Sequence, residues 1–133
     1  MKTRTKRSSA TTMTDEDPRP RFAIGHISVP ANDPGRLAEF YEAIGMRRVA
    51  RMPGAAIIEL RGGTHLVFTT RGVAGNHTLD LIVDDLDETR AVLVAAGATP
   101  SDTWRQGPHL TFTTTDPEGN TLVVNSTHAI GPV

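Results

Sequence analysis

Histidine and aspartate are the side chains of this sequence that can work chemically near neutral pH. Five histidines are present and no cysteine. His26, His65 and His109 each open a run rich in Val, Ile, Leu and Thr. Asp80 stands inside another such run, TLDLIV. Imidazole and carboxylate are legitimate donors to a divalent metal. They are also acid–base groups that operate near pH 7. An enclosed lone carboxylate is expensive, so Asp80 calls for a partner: a neighbouring histidine, Arg61 or Arg105. The absence of cysteine removes disulfides, zinc thiolates and cysteine nucleophiles. No serine stands in a nucleophile elbow, and neither G-x-G-x-x-G nor a P-loop is present. Serine-triad hydrolysis and nucleotide binding are therefore set aside.

The elements that position these groups occur twice. FAIGHISV reads as a strand, Asp33 as a helix cap with Pro34 first in the helix, and Leu37, Phe40, Tyr41 and Ile44 as a helical stripe ended by Gly45. In TLDLIVDDLDETRAVLVAAGA, Leu79, Leu81 and Val83 alternate, Asp85 is the cap, Leu86, Val92, Leu93 and Ala96 form the stripe and Gly97 the stop. Asp33 to Gly45 and Asp85 to Gly97 both span 12 residues, and the two units match at an offset of 52. Three strand candidates follow each helix. They are MRRVARM, AAIIELR and THLVFTT, then a weak one from Thr99 to Trp104, HLTFTTT and NTLVVNS. GG and DPEGN supply the turns before the last strands. The chain is thus an internal repeat of two tandem βαβββ modules. The fold class is α+β, a curved mixed-sheet cup with helices on the outer face.

Residues two apart on a strand share a face. The concave face is expected to carry His26 and Ser28, His65, Val67 and Thr69, Thr78 and Asp80, His109, Thr111 and Thr113, and Thr121, Val123 and Asn125. The helix side is expected to carry Ile27, Val29, Leu66, Phe68, Leu79, Leu81, Leu110, Phe112, Leu122 and Val124. Alternation turns His77 away from the cup unless a bulge shifts its register. Trp104 and Gln106 fall in a loop at the cup mouth, where a large amphipathic ring suits stacking on a planar ligand.

The 133 residues have a net charge of −1, 38% apolar and 22% charged residues, the profile of an ordinary globular domain. No basic stripe points to nucleic acid, and no segment approaches a membrane span. Residues 1–21 read as a disordered leader, basic, then Ser/Thr-rich, then acidic; no secretory signal is expected in it. Residues 22–126 form one domain, with module one at 22–70 and module two at 76–126. Residues 127–133, with His128, form a tail. The expected location is the cytoplasm.

The segments GHISVPANDPGRLAEFYEAIGM, LDLIVDDLDETRAVLVAAGA and TDPEGNTLVV together resemble the vicinal oxygen chelate superfamily, which includes glyoxalase I, bleomycin-resistance proteins and extradiol dioxygenases. The resemblance covers Phe22 to Asn125. It implies a cup that often holds one divalent metal, with ligands from the first and last strands of each module. Here those slots fall on His26, Val67, Thr78 and Val123, and only the first keeps a donor. Valine donates nothing, so no cofactor is expected; a rearranged divalent site on His26, His65 and Asp80 is the alternative. The favoured function is binding of a small organic molecule, as a binder or a metal-independent enzyme. His26, His65 and Asp80 are the catalytic candidates. Ser28, Val67, Thr78, Trp104, His109, Thr111, Val123 and Asn125 are the ligand-binding candidates. The other readings are a metal-dependent lyase, isomerase or dioxygenase, and a non-catalytic partner subunit. The resemblance also implies a homodimer whose cups form partly between chains.

Overall fold

A computed structural model describes residues 16–127 and 130–132. His128 and most of the leader lie outside the described residues. The first module runs β1 (His26–Pro30), α1 (Pro34–Ala43), β2 (Arg47–Met52), β3 (Ala55–Glu59) and β4 (His65–Thr69). The second runs β5 (Thr78–Val83), α2 (Leu86–Ala95), β6 (Trp104–Gln106), β7 (His109–Thr115) and β8 (Thr121–Ser126). Each module builds its own four-stranded mixed sheet, ordered β1-β4-β3-β2 and β5-β8-β7-β6. In both, the strand before the helix pairs in parallel with the module's last strand, and the other pairs are antiparallel. The repeat in the sequence is therefore a repeat in space.

The helices begin and end for local reasons. The Asp33 carboxylate accepts from the Arg36 N–H at 3.2 Å, and Pro34 occupies the first turn, where its missing N–H costs nothing. Asp85 accepts from Glu88 N–H at 3.0 Å, and Asp87 and Glu88 add negative charge to the positive end of the helix dipole. Gly45 (φ 117°) and Gly97 (φ 97°) take the left-handed conformation that stops each helix.

The helices cover their sheets unequally. From α1, Pro34, Leu37, Ala38, Phe40 and Tyr41 are buried, and the Tyr41 ring stacks on Phe68 with centroids 5.2 Å apart. From α2 only Leu93 is buried. Arg90 helps to close that side, with its guanidinium 4.5 Å over the Phe112 ring.

The modules are joined through the turn DPEGN. The Tyr41 hydroxyl donates to Asp116 Oδ2 at 2.7 Å. The Glu118 carboxylate accepts from the Asn32 and Asp33 N–H groups at 2.6 and 2.8 Å, just before α1. Asp116 also accepts from Glu118 N–H, Asn120 N–H and the Asn120 amide, which fixes the turn internally.

Three expectations change. The weak strand near Thr99 to Trp104 lies instead at Trp104–Gln106, so Trp104 and Gln106 are on an edge strand and not in a loop. Pro100 has no N–H to give a ladder, and Ser101 alone bonds across, to the Thr113 carbonyl at 2.8 Å. Ile27 is 37% exposed because β1 is an edge strand. Leu110 is 41% exposed, beside Arg105 of edge strand β6. No helix among the described residues is long and apolar enough to cross a membrane.

Candidate functional site

Strand register sorts the face opposite the helices into rows. On the first sheet one row is polar: His26, His65, Glu59, Arg47. The His26 and His65 rings meet edge to face, with centroids 5.4 Å apart. His65 Nε2 lies 3.0 Å from Glu59 Oε1, and Arg47 reaches the other carboxylate oxygen at 2.8 Å. The hydrogen bond to His65 comes first, and the Arg47 charge after it, in holding the Glu59 carboxyl below the usual carboxylate range. A carboxylate on one ring nitrogen fixes the tautomer and orientation of the other. The next rows are Ser28, Val67, Ile57 and then Pro30, Thr69, Ala55, Met52.

On the second sheet the corresponding face carries Thr78, Thr121, Thr115, then Asp80, Val123, Thr113, then Ile82, Asn125, Thr111, Trp104. The Asn125 amide donates to Asp80 Oδ1 at 2.6 Å and to the Leu81 carbonyl at 3.1 Å, and its oxygen accepts from Thr111 Oγ1 at 2.8 Å. Asp80 therefore takes Asn125 as its partner, not a histidine, Arg61 or Arg105. Arg61 pairs with Asp84. Asn125 sits opposite Ile82 in the parallel ladder, one step from Asp80, and its amide reaches the carboxylate diagonally. His109 Nδ1 lies 2.7 Å from the Ser126 carbonyl, which places the ring proton on Nδ1. Trp104 is 41% exposed, and its indole N–H donates to Gln106 Oε1 at 3.1 Å.

A cleft of about 770 Å³ opens on this face of the first sheet. Ser28, Pro30, Val67, Ala55, Met52 and Thr69 form its floor, and Pro53, Gly54 and residues of the link after β4 form its rim. The volume lies within the ~300–1,000 Å³ common for small-molecule sites. His77 lines the cleft too. The expectation that it turns away is corrected: it precedes β5 as the last residue of the link, so strand alternation does not govern it. Its N–H bonds to Asn120 Oδ1 at 3.2 Å, and its carbonyl accepts from Thr121 N–H at 2.8 Å.

The structure thus brings His26 to His65, Ser28 to Val67, and Asp80 to Thr111 and Asn125, with Thr78 and Val123 in adjoining rows. It divides His26 and His65 from Asp80 by sheet. Among the described residues no three His, Asp or Glu side chains are arranged to hold a metal ion. Of the slots implied by the resemblance, His26 and Val67 lie on one sheet, Thr78 and Val123 on the other. A divalent ion needs about three protein donors, and this set does not fit one. Glu59, Arg47, Arg71 and the cleft rim are not among the residues expected from the sequence. Glu59 had a signal. Residues 59 and 65 are symmetric about Gly62 in the turn, which is the pairing of a hairpin closed there.

A glyoxalase-like domain model matches residues 26–125. No curated protein sequence matches the chain. Among solved structures, TnmS3, an antibiotic binding protein from Streptomyces sp. CB03234, is 24% identical with a TM-score of 0.71, over 81% of this chain and 98% of that one. A bleomycin resistance determinant encoded on the transposon Tn5 is 23% identical with a TM-score of 0.66, over 81% and 100%. Lactoylglutathione lyase from Agrobacterium tumefaciens is 20% identical with a TM-score of 0.71, over 84% and 98%. At these identities the likeness is one of fold.

Proposed function

Given that the chain belongs to the glyoxalase-like domain family of the vicinal oxygen chelate superfamily, we propose that it binds a small organic molecule of antibiotic type in its cup, without the family's metal. The cleft on the first sheet carries this reading. It has a ligand-sized volume and a floor of Pro30, Met52, Ala55 and Val67. Two of the implied metal slots are valines, which close the site with methyl groups instead of donors. The antibiotic-binding and bleomycin-resistance neighbours supply the ligand class. A second copy completes the cup. Strands β1 and β5 are free edges, and Ile27 and Ile82 on them are exposed.

Two measurements test this together. Elemental analysis after dialysis against Zn²⁺, Ni²⁺, Mn²⁺ and Fe²⁺ is expected to find no retained ion. Titration with bleomycin and with planar polycyclic antibiotics is expected to change the fluorescence of Trp104, the single tryptophan, with a Kd of about 1 µM or tighter for at least one compound, near −8 kcal/mol. One ion per cup, lost in His26→Ala, overturns the reading.

One observation favours a second reading, a metal-independent enzyme. Glu59 orients His65 as a general acid or base would be oriented. Conversion of a bound compound, seen by mass spectrometry and lost in His65→Ala, would establish it.

A further inference from the structure

Among the described residues six of ten arginines have a side-chain partner, and Arg21, Arg36, Arg71 and Arg105 have none. Arg47, Arg48, Arg51 and Arg61 lie 2.6 to 3.0 Å from the carboxylates of Glu59, Glu42, Glu39 and Asp84. Arg90 is held by Thr103 Oγ1 at 2.7 Å and by the Phe112 ring. Arg71 is different. It lines the cleft, and only its backbone N–H is engaged, by Thr69 Oγ1 at 3.3 Å. Among the described residues its guanidinium has no partner, and no acidic side chain lines the cleft. His77 lines it as well, with a ring that has no partner there.

The link that carries Arg71 is held in place. A side chain at Gly72 (φ 89°) would stand 2.9 Å from Pro30 Cγ, and one at Gly75 (φ 81°) 2.6 Å from the Glu118 carbonyl oxygen. Backbone this close to its neighbours follows a path that only glycine allows. A cation without a partner among the described residues is thus stationed on a defined rim, above a floor in which Pro30, Met52, Ala55 and Val67 outnumber Ser28 and Thr69. In open solvent an unpaired guanidinium is hydrated at little cost. Enclosed by a ligand and a second copy, it needs an anion.

We propose that the cleft selects molecules with an anionic group attached to an apolar body, Arg71 engaging the anion and His77 standing beside it. The proposal rests on the small-molecule reading and names the chemical class within it: a planar carboxylate, or a sulfonate or phosphate, which the guanidinium fork can take through two parallel N–H bonds.

The test compares anilinonaphthalene sulfonate with its uncharged framework, N-phenylnaphthylamine, by fluorescence titration of the full chain. The sulfonate is expected to bind about tenfold more tightly, the value of one charge-assisted hydrogen bond. Arg71→Ala is expected to erase most of that preference while the affinity for the amine moves less than about twofold, and Arg71→Lys to keep part of it. Ala55→Trp, which fills the floor, is expected to abolish both. If the amine binds and Ala55→Trp removes it, but the sulfonate is no better, the anion proposal falls and the small-molecule reading stands. If Ala55→Trp leaves both probes bound, or neither binds wild type, both fall. If Arg71→Ala dissociates a dimer and leaves the preference intact, the guanidinium belongs to the second copy and the proposal is overturned.

Discussion

Tyr41 shows how one hydroxyl can join two modules. It is the single tyrosine of the chain and is fully buried. Its ring packs on Phe68 while its hydroxyl donates across to Asp116. Burial first, then the Asp116 charge and the hydrogen bond itself, push the phenol well above its ordinary range. Neutral phenol is therefore the folded form, whereas an unfolded chain ionises near pH ~10. A raised pKa contributes stability that is complete below the unfolded value and is lost as pH rises beyond it. Phenolate absorbance is expected to appear only together with loss of the circular dichroism of the fold. A phenolate signal at ordinary pH with the fold intact would refute this. Tyr41→Phe leaves buried Asp116 one donor short. It is expected to cost about 1.5–3 kcal/mol at neutral pH, the range for hydrogen bonds to charged groups, and to flatten the alkaline slope in denaturant titrations.

At the scale of elements, DPEGN acts as a clasp as well as a turn. Its Asp116 and Glu118 hold Tyr41 and the backbone ahead of α1, and its outer surface leaves no room for a side chain at Gly75. Gly75→Ala meets both a positive φ and a backbone oxygen, so a loss of about 1–3 kcal/mol is expected. Glu118→Gln keeps one acceptor and should cost less than Glu118→Ala. Equal midpoints for Gly75→Ala and wild type in urea would remove the clasp from the argument. The elements themselves were legible because their determinants are local. Asp33 and Asp85 cap, Gly45 and Gly97 stop, and a period of two assigns each strand's faces. What was hidden depends on distant chain. Asp80 finds Asn125 only once β5 and β8 pair, 45 residues apart. Trp104 joins a strand only because β7 offers an edge. His77 reaches the cleft because Asn120 and Thr121 fix the link from the second module.

The whole molecule presents two sheet faces of different character. The face of the first sheet offers His26, His65 and the cleft with Arg71, whose guanidinium has no partner among the described residues. The face of the second offers Asp80, Thr111 and Trp104. Among the described residues no hydrogen-bonded ladder joins the two sheets, and both β1 and β5 keep one edge open. A free edge with an exposed isoleucine is a template for another strand, and C2 pairing is the commonest way to satisfy it. Sedimentation is expected to find a dimer. Ile27→Glu and Ile82→Glu lie at positions 37% and 39% exposed, where substitution changes the fold by about 0.5 kcal/mol or less. A charge on the edge opposes strand addition, so either variant should sediment as a monomer with the circular dichroism of wild type. A cup shared between copies would then lose the ligand response of Trp104 along with the dimer. A monomeric wild type that still binds ligand would place the whole site on one chain. A dimer that survives both variants would move the interface away from these edges.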